Sequence, residues 1–323
     1  MKKKDLLESS IYWEIFHSID FDKIVDHPNI LIAAHFWDKE RYQAAKVCYK
    51  FMRAVDDLVD NYKSEHKGIA LDEKPHLEQK VKEWISIVMN NEDKNALYAE
   101  VTETIRRFHI PAAPLEDFAQ SMIYDIYNDG FPTLQGFLDY ANGASVAPAS
   151  IFVHLCGLRQ EKDSYLPPLF DVKKAATPCA IFSYLVHIIR DFVKDHLNHL
   201  NYFPDDLLQK YELDREKLLT MAQGGELSEG FRKLIAELYL AADEYRIKTL
   251  TEIERISPLL ETRSRLSLHI IFSLYTMVFE RIDVKHGSFS SKELNPTPAE
   301  IKAQVRQIIL TFEKEEGLSV QVD

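Results

Sequence analysis

Apolar residues recur at spacings of three and four along almost the whole chain, the period of an amphipathic helix, and no strand-type alternation runs beyond four residues. From Lys39 to Tyr62 this pattern continues without a Gly or Pro. The stretch 63–76 (KSEHKGIALDEKPH) is polar, holds Gly68 and Pro75, and reads as a loop. The spacing predicts further helices over 77–91, 94–109, 114–129 and 133–157, where Pro148 is expected to kink the chain. A strongly apolar segment then runs from Val172 to about Leu197, and Asp205 and Asp206 after Pro204 suit the opening turn of a short helix. More helices are expected over 228–255, over 263–284 and after Pro298. Only 10 Gly are present, too few for the tight turns of a many-stranded barrel or sandwich. No repeat or composition shift divides the chain, so the expected fold is all-α: one helical domain over 1–323 with about ten helices.

Charge and cysteine narrow the function classes. Lys and Arg number 39 against 51 Asp and Glu, a formal net charge of −12. Phosphate backbones are gripped by clustered Lys and Arg, so nucleic acid is excluded as a partner. A small polyanion would need metal ions between itself and such a protein. Cys48, Cys156 and Cys179 are scattered and odd in number, which reads as three buried thiols in a reducing cytosol rather than a disulfide framework. The opening MKKKDLLESS has basic residues, but Asp5 and Glu8 interrupt any apolar signal region, and no run is long enough to span a bilayer. The expected location is cytoplasmic, with peripheral membrane contact left open.

Two acidic pairs sit in unusual surroundings: Asp56/Asp60 in CYKFMRAVDDLVD (48–60) and Asp191/Asp195 in CAIFSYLVHIIRDFVKD (179–195). The second segment is apolar nearly all round for three turns, as in an interior helix. Carboxylates cannot stay ionised in a dry core unless paired or bound to metal. Spacing of four places each pair on one helix face. Arg53 precedes Asp56 and Arg190 adjoins Asp191. Two readings follow. In one, the pairs are Asp–Arg salt bridges. In the other, converging carboxylates hold Mg²⁺, which takes hard oxygen ligands and lets substrate phosphates complete its shell, while the arginines grip the remaining phosphate oxygens.

RAVDDLVDNY (53–62) and HIIRDFVKDHLNHLNYFPDDLL (187–208) resemble the two aspartate-rich motifs of the squalene/phytoene synthase family, and YANGASVAPA (140–149) looks like its Tyr–small-residue helix. The resemblance runs from about His27 to Gly287, which divides the chain into a family-like core (27–287), an N-terminal lead-in (1–26) and a C-terminal loop and helix (288–323). It implies an isoprenoid-synthase-type helical bundle around a central apolar cavity. The implied reaction is Mg²⁺-dependent head-to-head (1′-1) condensation of two allylic prenyl diphosphates, farnesyl or geranylgeranyl. It passes through a cyclopropylcarbinyl diphosphate to a squalene-, dehydrosqualene- or phytoene-type product, and NADPH enters only if that product is squalene. By the same resemblance Asp56, Asp60, Asp191 and Asp195 hold Mg²⁺. Arg53 and Tyr49 join them in catalysis, and Arg190, His27, Tyr140, Tyr184, His187 and Tyr275 bind substrate.

This sequence departs from the family pattern at Tyr184 and His187, where a Gln and an Asn are usual. Imidazole is a poor Mg²⁺ ligand, so His187 either contacts diphosphate, moves a proton, or packs with Tyr184 as a satisfied pair. The basic run usual near the C-terminus is replaced by GSFSSKELNPTP (287–298). Two alternatives therefore stay open: a single-substrate terpene synthase or prenyltransferase of the same fold, and a non-catalytic helical scaffold. Glu14-Ile-Phe-His17 and Glu73-Lys74-Pro75-His76 match the E-x-x-H of di-iron bundles, but the second holds a Pro in a polar loop and fails. Substrate chain length rests on the cavity floor, for which Phe36, Phe51, Phe152 and Leu155 are the candidates.

Overall fold

The structure, a computed structural model, describes residues 3–26, 29–90, 96–162 and 164–317. Among them are sixteen α-helices and one small hairpin. In order these are α1 (Lys3–Ser18), α2 (Asn29–Ala34), α3 (Lys39–His66), α4 (Lys74–Asn90), α5 (Ala96–Arg107), α6 (Ala113–Tyr127), α7 (Leu134–Ala141) and α8 (Ala147–Gly157). An antiparallel hairpin follows, β1 (Arg159–Glu161) with β2 (Ser164–Leu166). Then come α9 (Val172–Arg190), α10 (Phe192–Leu197), α11 (Asp205–Lys210), α12 (Arg215–Ala222), α13 (Glu229–Ile256), α14 (Thr262–Phe279), α15 (Ser291–Leu294) and α16 (Pro298–Glu315). The expectation of about ten helices misses the short ones, α2, α12 and α15 among them, which are too brief to show a period. It also misses α1, whose sequence carries almost no amphipathic bias.

Helix α3 shows how local chemistry sets the frame. Asp38 caps its start, accepting from the backbone N–H of Glu40 and Arg41 at 3.0 and 2.9 Å. Its end comes only where Lys67 turns left-handed, with φ 55°, and returns its N–H to the Lys63 carbonyl. The helix thus overruns the loop expected from residue 63, because Val55, Val59 and Lys63 form one buried stripe at intervals of four.

Two departures from straight helices matter for the cavity. Between α7 and α8, residues Asn142–Val146 form a π-helical turn, in which the Ala147 N–H reaches back to Asn142. Pro148 follows at the start of α8, so the expected kink takes the form of a widened turn upstream of the proline. The segment 172–197, expected as one helix, breaks at Asp191, whose φ and ψ are −91° and 6°. Bonds from Asp191 N–H to the His187 carbonyl and from Asp195 N–H to the Asp191 carbonyl, both 2.8 Å, carry the register across the break.

Buried side chains gather in two apolar clusters. One draws on α1–α6, α8, α14, α16, the start of α9 and the end of α13, with Trp37, Phe51 and Leu266 buried in it. The other draws on α7, α9–α13 and the end of α14, with Phe182, Phe192 and Phe231 buried in it. Ala144, Ala149 and Tyr275 pack against both. No helix among the described residues is long and apolar enough to cross a membrane.

Candidate active site

A cavity of about 950 Å³ opens between α3, α8, α9, α13 and α14. Tyr49, Arg53, Asp56 and Asp60 reach it from α3, and Tyr184, His187, Arg190, Asp191 and Asp195 from α9 and α10. Tyr140 enters from the end of α7 and Tyr275 from α14. Eleven of the twelve site residues named from the sequence therefore line one space; the twelfth, His27, lies outside the described residues. The rest of the wall is largely apolar, with Met52, Ile151, Val153, Ile253, Leu268 and Ile271 among its side chains. Of the four candidates for the floor, Phe152 and Leu155 line the cavity. Phe36 and Phe51 do not: both are fully buried in the first cluster.

The all-round apolar character of α9 has a different origin from the dry interior inferred for it. One face packs on α13 and the other elements around it, while the face carrying Tyr184, His187, Asp191 and, one turn on, Asp195 meets the cavity. The aspartates are half-buried at its opening. Arg53 pairs with Asp56 at 3.1 Å and with Asp57 at 2.7 Å, and Arg190 grips Asp191 through two bonds of 2.8 and 2.6 Å. The salt-bridge reading is thus realised for Asp56 and Asp191, while Asp195 has no ion pair among the described residues.

The carboxyl groups differ accordingly. Burial, then the neighbouring Asp60, push Asp56 above the usual carboxylate range, and burial raises Asp60 as well. Burial and the Asp191 charge lift Asp195 to about 7, and Asp60 on α3 adds to that push. Burial works against ionised Asp191 too, but the Arg190 hydrogen bonds and charge overcome it and hold this carboxyl low. The charge of Asp60 thus reaches Asp195 on the other motif, and the lining as a whole sets five aspartates, Asp57 included, against Arg53, Arg190 and Lys194. No three acidic or imidazole side chains among the described residues converge closely enough to bind a metal by themselves. A paired-carboxylate donor set of this kind fits a hard divalent cation that takes its other oxygens from a phosphate and water.

His187 is held neutral, down at about 3, first by burial and then by the Arg190 charge, and its ring meets Tyr275 edge-on at 5.5 Å. Burial raises the Tyr140, Tyr184 and Tyr275 phenols, which stay protonated. Cys48 and Cys179 also reach the cavity, and burial pushes both thiols up to about 12. All three cysteines are free.

Several residues at the site were not legible from spacing. Lys194 lines the opening, and Lys63 and Asp125 lie behind Asp60 around a small void of about 20 Å³. Asp125 falls on the apolar stripe of α6 with Leu115, Phe118 and Met122, so a carboxylate at a core position was the signal available.

Comparison with known proteins accords with this geometry. A model of the squalene/phytoene synthase family matches residues 27–299. A chloroplastic phytoene synthase 2 of Solanum lycopersicum is 20% identical over 263 residues, covering 81% of this chain and 79% of the relative. Among solved structures, a dehydrosqualene synthase in complex with ligand superposes with a TM-score of 0.69 at 15% identity, over 95% of this chain and 99% of that one. A squalene synthase from Alicyclobacillus acidocaldarius superposes with a TM-score of 0.59 at 15% identity, over 84% and 91%. The helical bundle is the all-α isoprenoid-synthase fold of these neighbours. The chain belongs to the squalene/phytoene synthase family, whose members are prenyltransferases.

Proposed function

We propose that this protein condenses two allylic prenyl diphosphates head-to-head, in a Mg²⁺-dependent reaction, to a squalene-, dehydrosqualene- or phytoene-type hydrocarbon. The observation that carries this reading is the meeting of two aspartate pairs, from α3 and from the α9–α10 junction, at the opening of one large apolar cavity. Asp56, Asp60, Asp191 and Asp195 are the residues that would hold Mg²⁺, which when bound supplies charge neutralisation for a leaving diphosphate. Arg53, Arg190 and Lys194, which line the cavity, would bind phosphate oxygens, Arg53 and Arg190 exchanging their carboxylate partners for them. Met52, Ile151, Leu268 and their neighbours exclude water from an allylic cation that water would quench. The aromatic faces of Tyr140, Tyr184 and Tyr275 offer it favourable electrostatics.

Incubation with farnesyl or geranylgeranyl diphosphate, with and without Mg²⁺, followed by analysis of pyrophosphate release and hydrocarbon extracts, tests the proposal. A C30 or C40 product formed only with the cation is expected; no turnover of either substrate overturns the enzymatic reading. One observation favours a second reading. Only Arg53, Arg190 and Lys194 bring positive charge to the cavity lining among the described residues, a small complement for two diphosphates. A C15 or C20 terpene without its head-to-head dimer would establish a single-substrate enzyme.

A further inference from the structure

Behind the cavity wall, α6 presents two side chains one turn apart to Tyr140. Ser121 Oγ donates to the Tyr140 carbonyl at 2.9 Å, and the Tyr140 hydroxyl donates to the Asp125 carboxylate. Both α6 residues are buried. Lys63 of α3 braces the same carboxylate, its Nζ 3.9 Å from Asp125 while donating to the Asn128 carbonyl at 2.9 Å. The arrangement depends on α6 lying hard against the π turn. A Cβ at Gly143 would strike Ser121 Oγ and the Asp117 carbonyl. The front of Tyr140 lines the cavity, and its ring packs with Phe131 and Tyr124, at centroid distances of 4.8 and 5.5 Å.

A phenol that gives its hydrogen to a carboxylate takes on some phenolate character, and its oxygen lone pairs and ring face become more attractive to positive charge. Its hydroxyl hydrogen is also turned away from the cavity. Burying a carboxylate and an ammonium together is costly, and an apolar pair would fill the same space more cheaply. We propose that Asp125, braced by Lys63, is a positioning residue that turns and polarises Tyr140 so that the cavity favours a cation at this wall. The inference rests on the cationic chemistry proposed above and names the residues that tune it from outside the cavity.

The test compares two unreactive prenyl probes by calorimetry in the presence of Mg²⁺ and pyrophosphate. One carries a tertiary ammonium in the chain; the other is its neutral carbon isostere. The wild-type protein is expected to prefer the ammonium probe, and Asp125→Asn, which keeps a hydrogen-bond acceptor, to lose about tenfold of that preference with the neutral probe within about twofold. Tyr140→Phe should lose the same preference, and the double variant no more than either single one. An unchanged ratio in a folded Asp125→Asn protein overturns the inference, as does an equal loss of both probes, which is the mark of a purely structural residue. Circular dichroism and the thermal midpoint establish folding, and Lys63→Met supplies a second variant of the brace should Asp125→Asn not fold. Failure of the wild-type protein to bind either probe would instead refute the prenyl cavity itself.

Discussion

Asp191 and Asp195 are one turn apart, yet Arg190 holds the first ionised while burial and its neighbour lift the second to about 7. Removing charge at either motif should disable the site without unfolding the protein, because the carboxylates are half-buried at an opening and not locked in the core. Asp56→Asn and Asp191→Asn are each expected to lower pyrophosphate release by at least about a hundredfold. The thermal midpoint should stay within a few degrees, read by calorimetry. His187 is a separate case. Its neutral ring stands at the Tyr275 edge where the family carries Asn, so His187→Asn should shift the product profile in hydrocarbon extracts. An unchanged profile would reduce His187 to packing. The pairing of acidic residues was visible in the chain because spacing of four survives folding as a shared helix face. Asp125 and Lys63 were not, since their meaning comes from α6 crossing α3, which no local pattern encodes.

At the scale of elements, periodicity encodes the existence of the long helices but not their ends or breaks, such as the one at Asp191, because caps and tertiary contacts decide those. Lys63 continues the stripe of Val55 and Val59 and draws α3 on to His66. The π turn at 142–146 likewise comes from a proline downstream and a close helix–helix approach, features of two elements at once. Gly143→Ala should therefore destabilise the protein by about 1–3 kcal/mol, seen as a lower denaturation midpoint, since the neighbouring backbone of α6 cannot yield cheaply. The last helix offers a pH test. Thr297 and Glu300 form a capping box on α16, and the Thr297 N–H, then its hydroxyl and Arg281, hold the Glu300 carboxyl down at about 2. A depressed carboxyl adds stability that is present above its unfolded pKa and is lost as pH falls. Wild-type stability should therefore decline between about pH 4.5 and pH 2 more steeply than that of Glu300→Gln, followed by thermal melts across that range.

For the whole molecule, we take residues 1–323 as one domain, since Ala144, Ala149 and Tyr275 belong to the surroundings of both apolar clusters. A single calorimetric transition is the expected outcome, and two separable ones would divide the chain. The position of the cavity gives that transition a particular sensitivity. The two clusters stop at a shared seam of about 950 Å³, walled by side chains that elsewhere would touch another apolar group. The hydrocarbon chain of the proposed substrate, lying in that seam, would act as a keystone: it would supply the missing interior and join two half-cores into one. Under the proposed function, the substrate completes the fold.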